Sequence, residues 1–366
     1  MKESKKLQFR SALIGTRYSK DFALPDFPRT AGGAFDREKA LDILEEYEYG
    51  IVGDEGVSLQ VTEVTDADRD EKWGYSFCGK ATHKALRFAF SRGSHTEAFT
   101  VDIFTPTRCR HEITVLQLDF VGRLPTKYCP IEELLDRGVA IAHVDYADIT
   151  TDDGDFTNGL AALLCDRTNP QSAGKIAVWA YAAGKVGDYL LQSGVAAKNA
   201  LFVAGHSRLG KTALLACARN EFFAGCFVNC SGSCGAAVSR EKQGETLAVI
   251  TKVFDYWFTP RYAEYRNRED ELPFDQHFLM AAVAPRKVFV VAASEDDWAD
   301  TDAQYLCAEA ASVAYTEQGV RGLGGNGAQI AEGEKCVGGN IAFFKRIGMH
   351  YFSREDWNFY LDCLQK

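Results

Sequence analysis

The sequence predicts an α/β fold in which a mainly parallel central sheet is flanked by helices, as a three-layer sandwich. Strand-like and helix-like segments alternate over most of the 366 residues, the pattern of a sheet whose strands are joined by helices. The hydrophobic content of 46% is enough to bury a large core. Because no internal repeat or interdomain linker is visible, we expect a single domain over residues 1–366, with an irregular N-terminal arm over about residues 1–35.

The first half of the chain is predicted to supply one helix and one edge of the sheet. Residues 36–50, DREKALDILEEYEYG, have amphipathic helical periodicity and a glycine at position 50 that should end the helix. Four strand-like segments follow, and we expect the earlier ones to form an antiparallel edge: 58–64, 85–91, 98–106 and 113–120.

The second half is predicted to supply the core strands. Residues 138–149 are typical of a buried strand that leads into an acidic loop, and residues 175–192 have helical periodicity. The apolar strand ALFVAG (200–205) leads directly into the octapeptide GHSRLGKT (205–212). Residues 319–334 are expected to form a flexible surface loop. The alternation continues in two further strands and a closing helix: FAGCFVNCSG (223–232), PRKVFVVAAS (285–294) and SREDWNFYLDCLQ (353–365).

The composition argues against several classes of protein. A net charge of −10 argues against a nucleic-acid partner, because such binding depends on a cationic surface. No apolar run approaches the roughly 18 residues of a membrane-spanning helix, so no membrane partner is expected. The opening residues, MKESKKLQFRSALIG, lack the apolar core of a secretory signal, which predicts a cytoplasmic protein. The alternative is a secreted protein whose signal has been trimmed.

The eleven cysteines predict neither a disulfide framework nor a metal site. They include no C-x-x-C pair and no cluster with histidine at metal-ligand spacing. We therefore expect most of them to be small buried hydrophobic residues in a reducing compartment.

The octapeptide GHSRLGKT is compatible with two unrelated chemistries. It matches the phosphate-binding pattern G-x-x-x-x-G-K-[ST], but the four residues that would wrap the phosphate include no glycine. It also places Ser207 between an apolar strand and a helix, with Gly205 and Gly210 leaving room for a sharp turn, as in a nucleophile elbow. The elbow is the favoured interpretation, although Leu209 replaces the second glycine of G-x-S-x-G and a serine here can be a simple helix cap.

The order of residues along the chain indicates the partners of Ser207. In folds with such an elbow, an acid at the end of a later strand follows the serine, and a histidine near the C-terminus comes last. Only His277 and His350 follow Ser207, and His277 precedes the strand that would supply the acid. His350 is therefore the predicted base. Three carboxylates compete for the role of the acid at the end of that strand: Glu295, Asp296 and Asp297.

Several separated motifs together resemble carbohydrate esterase family 15, the glucuronoyl esterase family. The octapeptide is similar to that family's G-[CH]-S-R-x-G-K elbow, which makes the phosphate-loop match a coincidence. The resemblance implies an α/β-hydrolase fold over nearly the whole chain. It extends to five further segments: ALPDFPRT (23–30), ILEEYEYG (43–50), SGSCGAAVSREKQGET (231–246), residues 267–300 and GMHYFSREDW (348–357).

The resemblance implies a catalytic role for three residues. Ser207 would be the nucleophile, His350 the base and Asp296 the acid, with Asp297 and Glu295 as alternates. Many family members carry a glutamate after the strand that follows the elbow, where this chain has Cys230. A neutral thiol cannot orient an imidazolium as a carboxylate does, so we expect this chain to depend on the later acid alone.

The resemblance also implies residues that contact the substrate. Arg208, with its own backbone N–H, would stabilise the oxyanion. Lys211, Glu245 and Trp298 would hold the hydroxyls and ring of a glucuronate. Gln276 and His277 would line the same region.

These residues predict a serine carboxylic-ester hydrolase that acts on carbohydrate esters through an acyl-enzyme, with no metal ion or organic cofactor. The substrate implied by the resemblance is a 4-O-methyl-glucuronoyl or glucuronoyl ester of xylan-derived material. Two alternatives stay open at this point. One is an acetylxylan esterase or general carboxylesterase of the same fold, and the more remote one is a phosphate-loop nucleotide-binding protein.

Overall fold

The structure is a computed structural model that describes residues 5–64, 77–109, 111–121, 124–325 and 328–364. Within these residues the strands form one ten-stranded sheet. Their bounds are β1 Ser58–Val64, β2 Ala81–Arg92, β3 His95–Pro106, β4 Ile113–Asp119, β5 Val139–Asp145, β6 Leu201–His206, β7 Gly225–Asn229, β8 Lys287–Ala293, β9 Lys335–Cys336 and β10 Ile341–Arg346.

The strand order across the sheet is β1-β2-β3-β5-β4-β6-β7-β8-β10-β9. Strands β5, β4, β6, β7, β8 and β10 pair in parallel, whereas β1, β2 and β3 form an antiparallel edge next to β5. The predictions of a mainly parallel sheet and of an antiparallel edge from the early strands are confirmed. Strand β10 was not predicted, and it matters because the segment that follows it carries His350.

The helices cover both faces of the sheet. Their bounds are α1 Arg37–Leu44, α2 Ile131–Asp136, α3 Tyr146–Ile149, α4 Gly159–Leu164, α5 Lys175–Gln192, α6 Arg208–Arg219, α7 Leu247–Val253, α8 His277–Ala281, α9 Thr301–Glu317 and α10 Arg354–Leu364. Shorter 3₁₀ turns span Asp255–Trp257, Pro260–Tyr265 and Glu269–Glu271. Among the described residues, none of these helices has the length and apolar character needed to cross a bilayer.

Strand β8 illustrates why the fold has three layers. Side chains alternate between the two faces of a strand, and both faces of β8 are apolar. Val288 and Val290 belong to the larger buried cluster, which includes residues of α5, α6 and α9. Phe289 and Val291 belong to the smaller one, together with Trp357 of α10. The near-continuous apolar sequence of the strand is therefore the signature of a sheet that is covered on both sides.

The predicted helix over residues 36–50 is present. The Asp36 side chain accepts a hydrogen bond from the Lys39 backbone N–H at 3.0 Å and so caps the start of α1. A π-helical turn, Glu45–Tyr49, continues the helix to Gly50, whose φ of 78° is in the left-handed region. A Cβ at this position would overlap the carbonyl oxygen of Ser172, so only glycine fits where the chain turns.

The N-terminal arm lies against the domain instead of extending from it. Its side chains Leu7, Leu13 and Leu24 are buried in the larger cluster. Arg17 donates a hydrogen bond to Asp300 at 3.0 Å. The predicted loop over 319–334 contains, in its described part, neither a helix nor a strand beyond a single bridge at Leu323; residues 326–327 lie outside the described ranges.

Candidate active site

Ser207 alone forms the turn between β6 and α6, because the strand ends at His206 and the helix begins at Arg208. Its φ of 58° and ψ of −126° are unfavourable for a residue with a side chain, as in the strained turn of a nucleophile elbow. The Ser207 backbone N–H donates to the Asn229 carbonyl at 2.8 Å, which ties the turn to β7. Gly205 is required sterically, since a Cβ there would overlap the Leu209 carbonyl.

This geometry excludes the phosphate-loop alternative. A phosphate-binding loop needs several consecutive backbone N–H groups between strand and helix, and here one residue separates them. The lysine of the pattern, Lys211, is also turned into the protein, where its Nζ donates to the Ser231 carbonyl at 2.6 Å. The helix-cap alternative fails as well, because the Ser207 side chain makes no capping hydrogen bond to α6.

His350 and Asp296 are brought together at the carboxyl edge of the parallel strands. His350 follows β10 and Asp296 follows β8, and the His350 Nδ1 atom lies 2.6 Å from the Asp296 Oδ2 atom. Asp296 is the buried member of the three candidate acids, since Glu295 and Asp297 are exposed. The His350 ring centroid lies 4.4 Å from that of His206, the residue that precedes Ser207. The imidazole therefore lies beside the elbow.

The loop that carries His350 is wrapped around a buried arginine. Arg346 donates to three backbone carbonyls of this loop, those of Ile347 at 3.0 Å, Met349 at 2.8 Å and Tyr351 at 3.1 Å. Its Nε atom lies 2.8 Å from a carboxylate oxygen of Asp356. Sequence reasoning missed Arg346, since no local pattern indicates that a charged residue at a strand end will organise the next five residues.

A buried chain of polar groups fixes the ring next to His350. The His206 Nδ1 atom lies 2.6 Å from Asn229 Oδ1, and Asn229 Nδ2 donates to Asp356 Oδ2 at 3.0 Å. Because the amide N–H₂ faces the carboxylate, its oxygen faces His206, whose Nδ1 must then be the donor. Burial, with His350 nearby, lowers the pKa of His206 to about 3. His206 is thus neutral and adds no positive charge beside His350.

Arg208 is held at the other side of Ser207 by a carboxylate that the sequence did not single out. Asp152, in the predicted acidic loop, pairs with the Arg208 guanidinium. The same carboxylate accepts hydrogen bonds from the Tyr146 hydroxyl at 2.9 Å and the Trp257 Nε1–H at 2.7 Å. The Tyr256 hydroxyl donates to the Asp152 backbone carbonyl at 3.0 Å. Arg208, Tyr146 and Trp257 come from three separate segments, and together they fix the position of the Asp152 carboxylate.

Three aromatic rings surround the same guanidinium. The Arg208 Cζ atom lies 4.8 Å from the ring centroid of Trp257, 5.4 Å from that of Phe254 and 5.8 Å from that of Phe120. Such contacts stabilise a cation through the ring quadrupoles and restrict its movement. The side chain keeps 26% of its surface exposed, so the charge stays accessible to a bound group.

Lys211 and Glu245 form a buried ion pair near the elbow. Lys211 Nζ lies 2.9 Å from Glu245 Oε2, and the two side chains are only 3% and 6% exposed. The Glu245 backbone N–H donates to the carbonyl of Trp298 at 2.9 Å, and the Lys242 Nζ donates to the same carbonyl at 3.2 Å. The Trp298 side chain is 49% exposed. The structure therefore brings Lys211, Glu245 and Trp298 together, with the indole open to solvent.

Gln276 and His277 are located elsewhere, and the prediction that they line this region is not supported. Both are fully buried. Gln276 donates to Glu48 at 2.8 Å, and the His277 Nε2 atom lies 3.0 Å from the Pro25 carbonyl of the N-terminal arm. Burial lowers the pKa of His277 to about 4, so this ring is neutral. The two residues hold the arm and the π-helical turn against the core.

Cys230 occupies the position after β7 where the family resemblance leads us to expect a glutamate in many members. It has a positive φ of 45° and is 1% exposed. Burial, followed by the charges of Asp296 and Asp356, raises the pKa of the thiol to about 12. Since Cys230 offers no carboxylate, Asp296 is the acid that contacts His350 among the described residues. More generally, seven of the eleven cysteines are buried, as expected of small hydrophobic residues.

Comparison with known sequences agrees with the motifs. A family model described as glucuronyl esterase of fungi matches residues 89–319. Carbohydrate esterase MZ0003, from an unknown prokaryotic organism, is 31% identical over 89% of this chain and 83% of its own length. A 4-O-methyl-glucuronoyl methylesterase of Podospora anserina is 28% identical, over 46% of this chain and 37% of its own.

Solved structures give the same assignment. A glucuronoyl esterase from Solibacter usitatus superimposes with a TM-score of 0.80 at 25% identity, covering 93% of this chain and 98% of its own. A structure described as a promiscuous CE15 esterase from the marine bacterial metagenome has a TM-score of 0.78 at 27% identity, covering 93% of this chain and 97% of its own. These likenesses confirm the predicted α/β-hydrolase fold. The chain belongs to the glucuronoyl esterase family, carbohydrate esterase family 15.

Proposed function

We propose that this protein is a serine esterase that hydrolyses 4-O-methyl-glucuronoyl and glucuronoyl esters of xylan-derived carbohydrate. Family membership supports the reaction class, and the fungal relatives named 4-O-methyl-glucuronoyl methylesterases support the substrate class. The observation that carries the proposal is the contact of 2.6 Å between His350 and buried Asp296, beside the strained turn at Ser207.

The base side of the reaction follows from this contact. Asp296 holds the Nδ1–H tautomer of His350, which leaves Nε2 free to accept the Ser207 proton. The Ser207 oxygen attacks the carboxyl carbon of the glucuronate, and His350 returns the proton to the departing alcohol. Water then attacks the acyl-enzyme with the same base and releases glucuronate. Neutral His206 favours the imidazolium that forms in each step, because it adds no competing cation.

The oxyanion side is assigned to Arg208. Negative charge develops on the former carbonyl oxygen as Ser207 attacks, and a fixed guanidinium next to the elbow is suited to meet it. Asp152 and the surrounding rings hold this cation in place before the substrate arrives, so little reorganisation is needed in the transition state. Removal of a single oxyanion donor typically costs about 3–4 kcal/mol of transition-state stabilisation.

Substrate binding is assigned to the group around the Lys211–Glu245 pair. The exposed face of Trp298 is suited to pack against a pyranose ring, and the buried Lys211–Glu245 pair holds the Trp298 backbone in place, since the Glu245 backbone N–H donates to the Trp298 carbonyl. In a glucuronoyl ester the sugar belongs to the acyl group, so these contacts would orient the carboxyl carbon toward Ser207. In an acetyl ester the sugar is the leaving alcohol. The same contacts would then hold the leaving alcohol and not the acyl group that Ser207 attacks.

The experiment compares hydrolysis of methyl glucuronate with that of acetylated xylose by the full chain, with Ser207→Ala as the blank. Preferential turnover of the glucuronate ester that disappears in Ser207→Ala supports the proposal. Preferential turnover of the acetyl ester would favour the second candidate, an acetylxylan or general carboxylesterase. That candidate is retained because a relative of 27% identity is described as promiscuous.

A further inference from the structure

Three side chains of different types converge beside the elbow. One ligand atom each of Cys230, Asp296 and His350 lies within 4.8 Å of the other two. The three residues follow β7, β8 and β10, so they lie at the carboxyl ends of three adjacent strands of the sheet. Their spacing in the sequence gives no metal-binding pattern, and the fold alone brings them together.

The donor set matches the preference of Zn²⁺. A thiolate, a carboxylate and an imidazole are each common zinc ligands, and three protein ligands with one open position is the usual arrangement of a reactive zinc site. Bond lengths of about 2.0–2.3 Å place tetrahedral ligand atoms about 3.3–3.7 Å apart. The present separations therefore need only small side-chain movements. The His350 side chain is 37% exposed, which leaves a path from solvent to the otherwise buried thiol and carboxylate.

We propose that Cys230, Asp296 and His350 bind Zn²⁺, and that bound zinc reversibly blocks the esterase. This inference rests on the proposed function, since His350 is the base of that reaction. Because His350 Nδ1 is the ring atom that contacts Asp296, zinc enters between these two groups and replaces their hydrogen bond.

Zinc would inhibit the esterase because it changes which nitrogen of the His350 imidazole has the proton. A neutral ring has one proton, which lies on Nδ1 while Asp296 accepts it. When zinc binds Nδ1, that proton moves to Nε2 through solvent, and the Cys230 thiol proton is released to solvent. Nε2 then has no lone pair to accept the Ser207 proton. A family member with glutamate in place of Cys230 would lack the thiolate that favours zinc over harder cations.

The first test titrates zinc chloride into the chelator-treated full chain and measures the zinc concentration that halves each variant's own rate on methyl glucuronate. We expect Cys230→Ala and Cys230→Ser to raise this concentration at least about tenfold, as loss of a metal ligand should. Cys78→Ala, which removes an exposed cysteine outside the site, is the matched control and should leave it unchanged. Chelator should restore the rate of the parent. Equal zinc sensitivity in the Cys230 variants overturns the proposal.

The second test does not depend on catalysis. Co²⁺ replaces zinc as the probe, and a thiolate ligand gives a near-ultraviolet charge-transfer absorption. We expect this band in the parent and in Ser207→Ala, and its loss in both Cys230 variants. If the parent shows the band but no esterase activity, the metal site is supported and the proposed function is refuted. Absence of the band in folded parent protein refutes the metal site whatever the activity.

Discussion

Two carboxylates near the elbow, Asp296 and Asp152, each fix one partner of the proposed reaction, and they do so in different ways. Asp296 contacts His350 on a loop, and the His350 side chain is 37% exposed. Asp152 contacts Arg208, which lies among three aromatic rings and is 26% exposed. The first arrangement leaves the imidazole accessible to solvent and to a bound substrate. The second holds its guanidinium on several sides at once.

The difference is consistent with the role that we propose for each partner. A general base has to gain and lose a proton in every cycle, so its ring needs one strong anchor and an open edge. An oxyanion donor has to keep its charge and position throughout the catalytic cycle. A carboxylate fixed by several hydrogen bonds and a surrounding set of aromatic rings are suited to hold it. The same openness that permits proton transfer at His350 also leaves room for a metal ion next to Cys230.

The largest effect is expected from Ser207→Ala, which removes the proposed nucleophile. This is the group that His350 is proposed to activate and whose attack produces the oxyanion at Arg208. We expect the rate constant kcat on methyl glucuronate to fall by about 10⁴-fold or more, since the remaining groups have no nucleophile to activate. The measurement is steady-state kinetics, with thermal unfolding to show that the variant is folded. Retention of more than a small fraction of the activity would mean that another residue attacks the ester.

The base side is tested by Asp296→Asn. The amide can present its N–H₂ to His350 and favour the tautomer with the proton on Nε2, so we expect kcat to fall by about 10³–10⁴-fold. Asp297→Asn is the matched control, because Asp297 is the next residue and is exposed. We expect a change of less than about twofold for the control. Similar losses in the two variants would show that the acid has been misassigned.

The oxyanion side is tested by Asp152→Asn. Loss of the carboxylate charge frees Arg208 from its anchor, and we expect kcat to fall by about 10²-fold with little change in KM. The effect should be smaller than that of Asp296→Asn, because the aromatic rings still hold the guanidinium. Asp148→Asn, at an exposed position of α3, is the control.

A double-mutant cycle identifies the route of the Asp152 effect. If Asp152 acts by positioning Arg208, then Asp152→Asn should add little in a background that already contains Arg208→Ala. Full additivity of the two losses, or a raised KM with unchanged kcat, would argue that Asp152 has a purely structural or substrate-binding role.

The smallest effect concerns another buried carboxylate, Glu48, which has no ion-pair partner among the described residues. Burial raises its pKa to about 8, so the folded state favours the neutral acid. Its contribution to stability is complete below the unfolded-state pKa of about 4.5 and is lost as the pH rises through about 8. Glu48→Gln should remove this decline while kcat stays unchanged. Denaturant unfolding at several pH values measures the free energy of unfolding. An unaltered pH dependence in Glu48→Gln would contradict the assignment of the decline to Glu48.

The sequence supported the fold because local patterns were strong. The apolar runs of β6 and β8 and the helical periodicity of α5 each indicated the correct element. Strand β10 was missed because its short apolar run lies between a glycine-rich loop and the His350 loop, with no clear boundaries. Chain order was enough to select His350, since it depends on topology and not on contacts.

The remaining features of the site depend on contacts between distant segments. Chain order alone left three adjacent acids open and the family resemblance favoured Asp296, which is the one of the three that the fold buries. The roles of Asp152, Asn229 and Arg346 have no sequence signal, because each acts on a residue far away or on backbone carbonyls. Motif matching placed His277 beside the substrate, whereas the structure shows its ring packed under the N-terminal arm, a long-range contact that the sequence does not indicate.

The most direct test of the account is to identify the residue that carries the acyl group during turnover. The enzyme is mixed with a glucuronate ester, quenched in acid within the first turnovers, digested and mapped by mass spectrometry. We predict a glucuronoyl adduct on the peptide that contains Ser207, and its absence in Ser207→Ala. An adduct on another residue, or continued turnover of the ester by Ser207→Ala, would contradict the central claim.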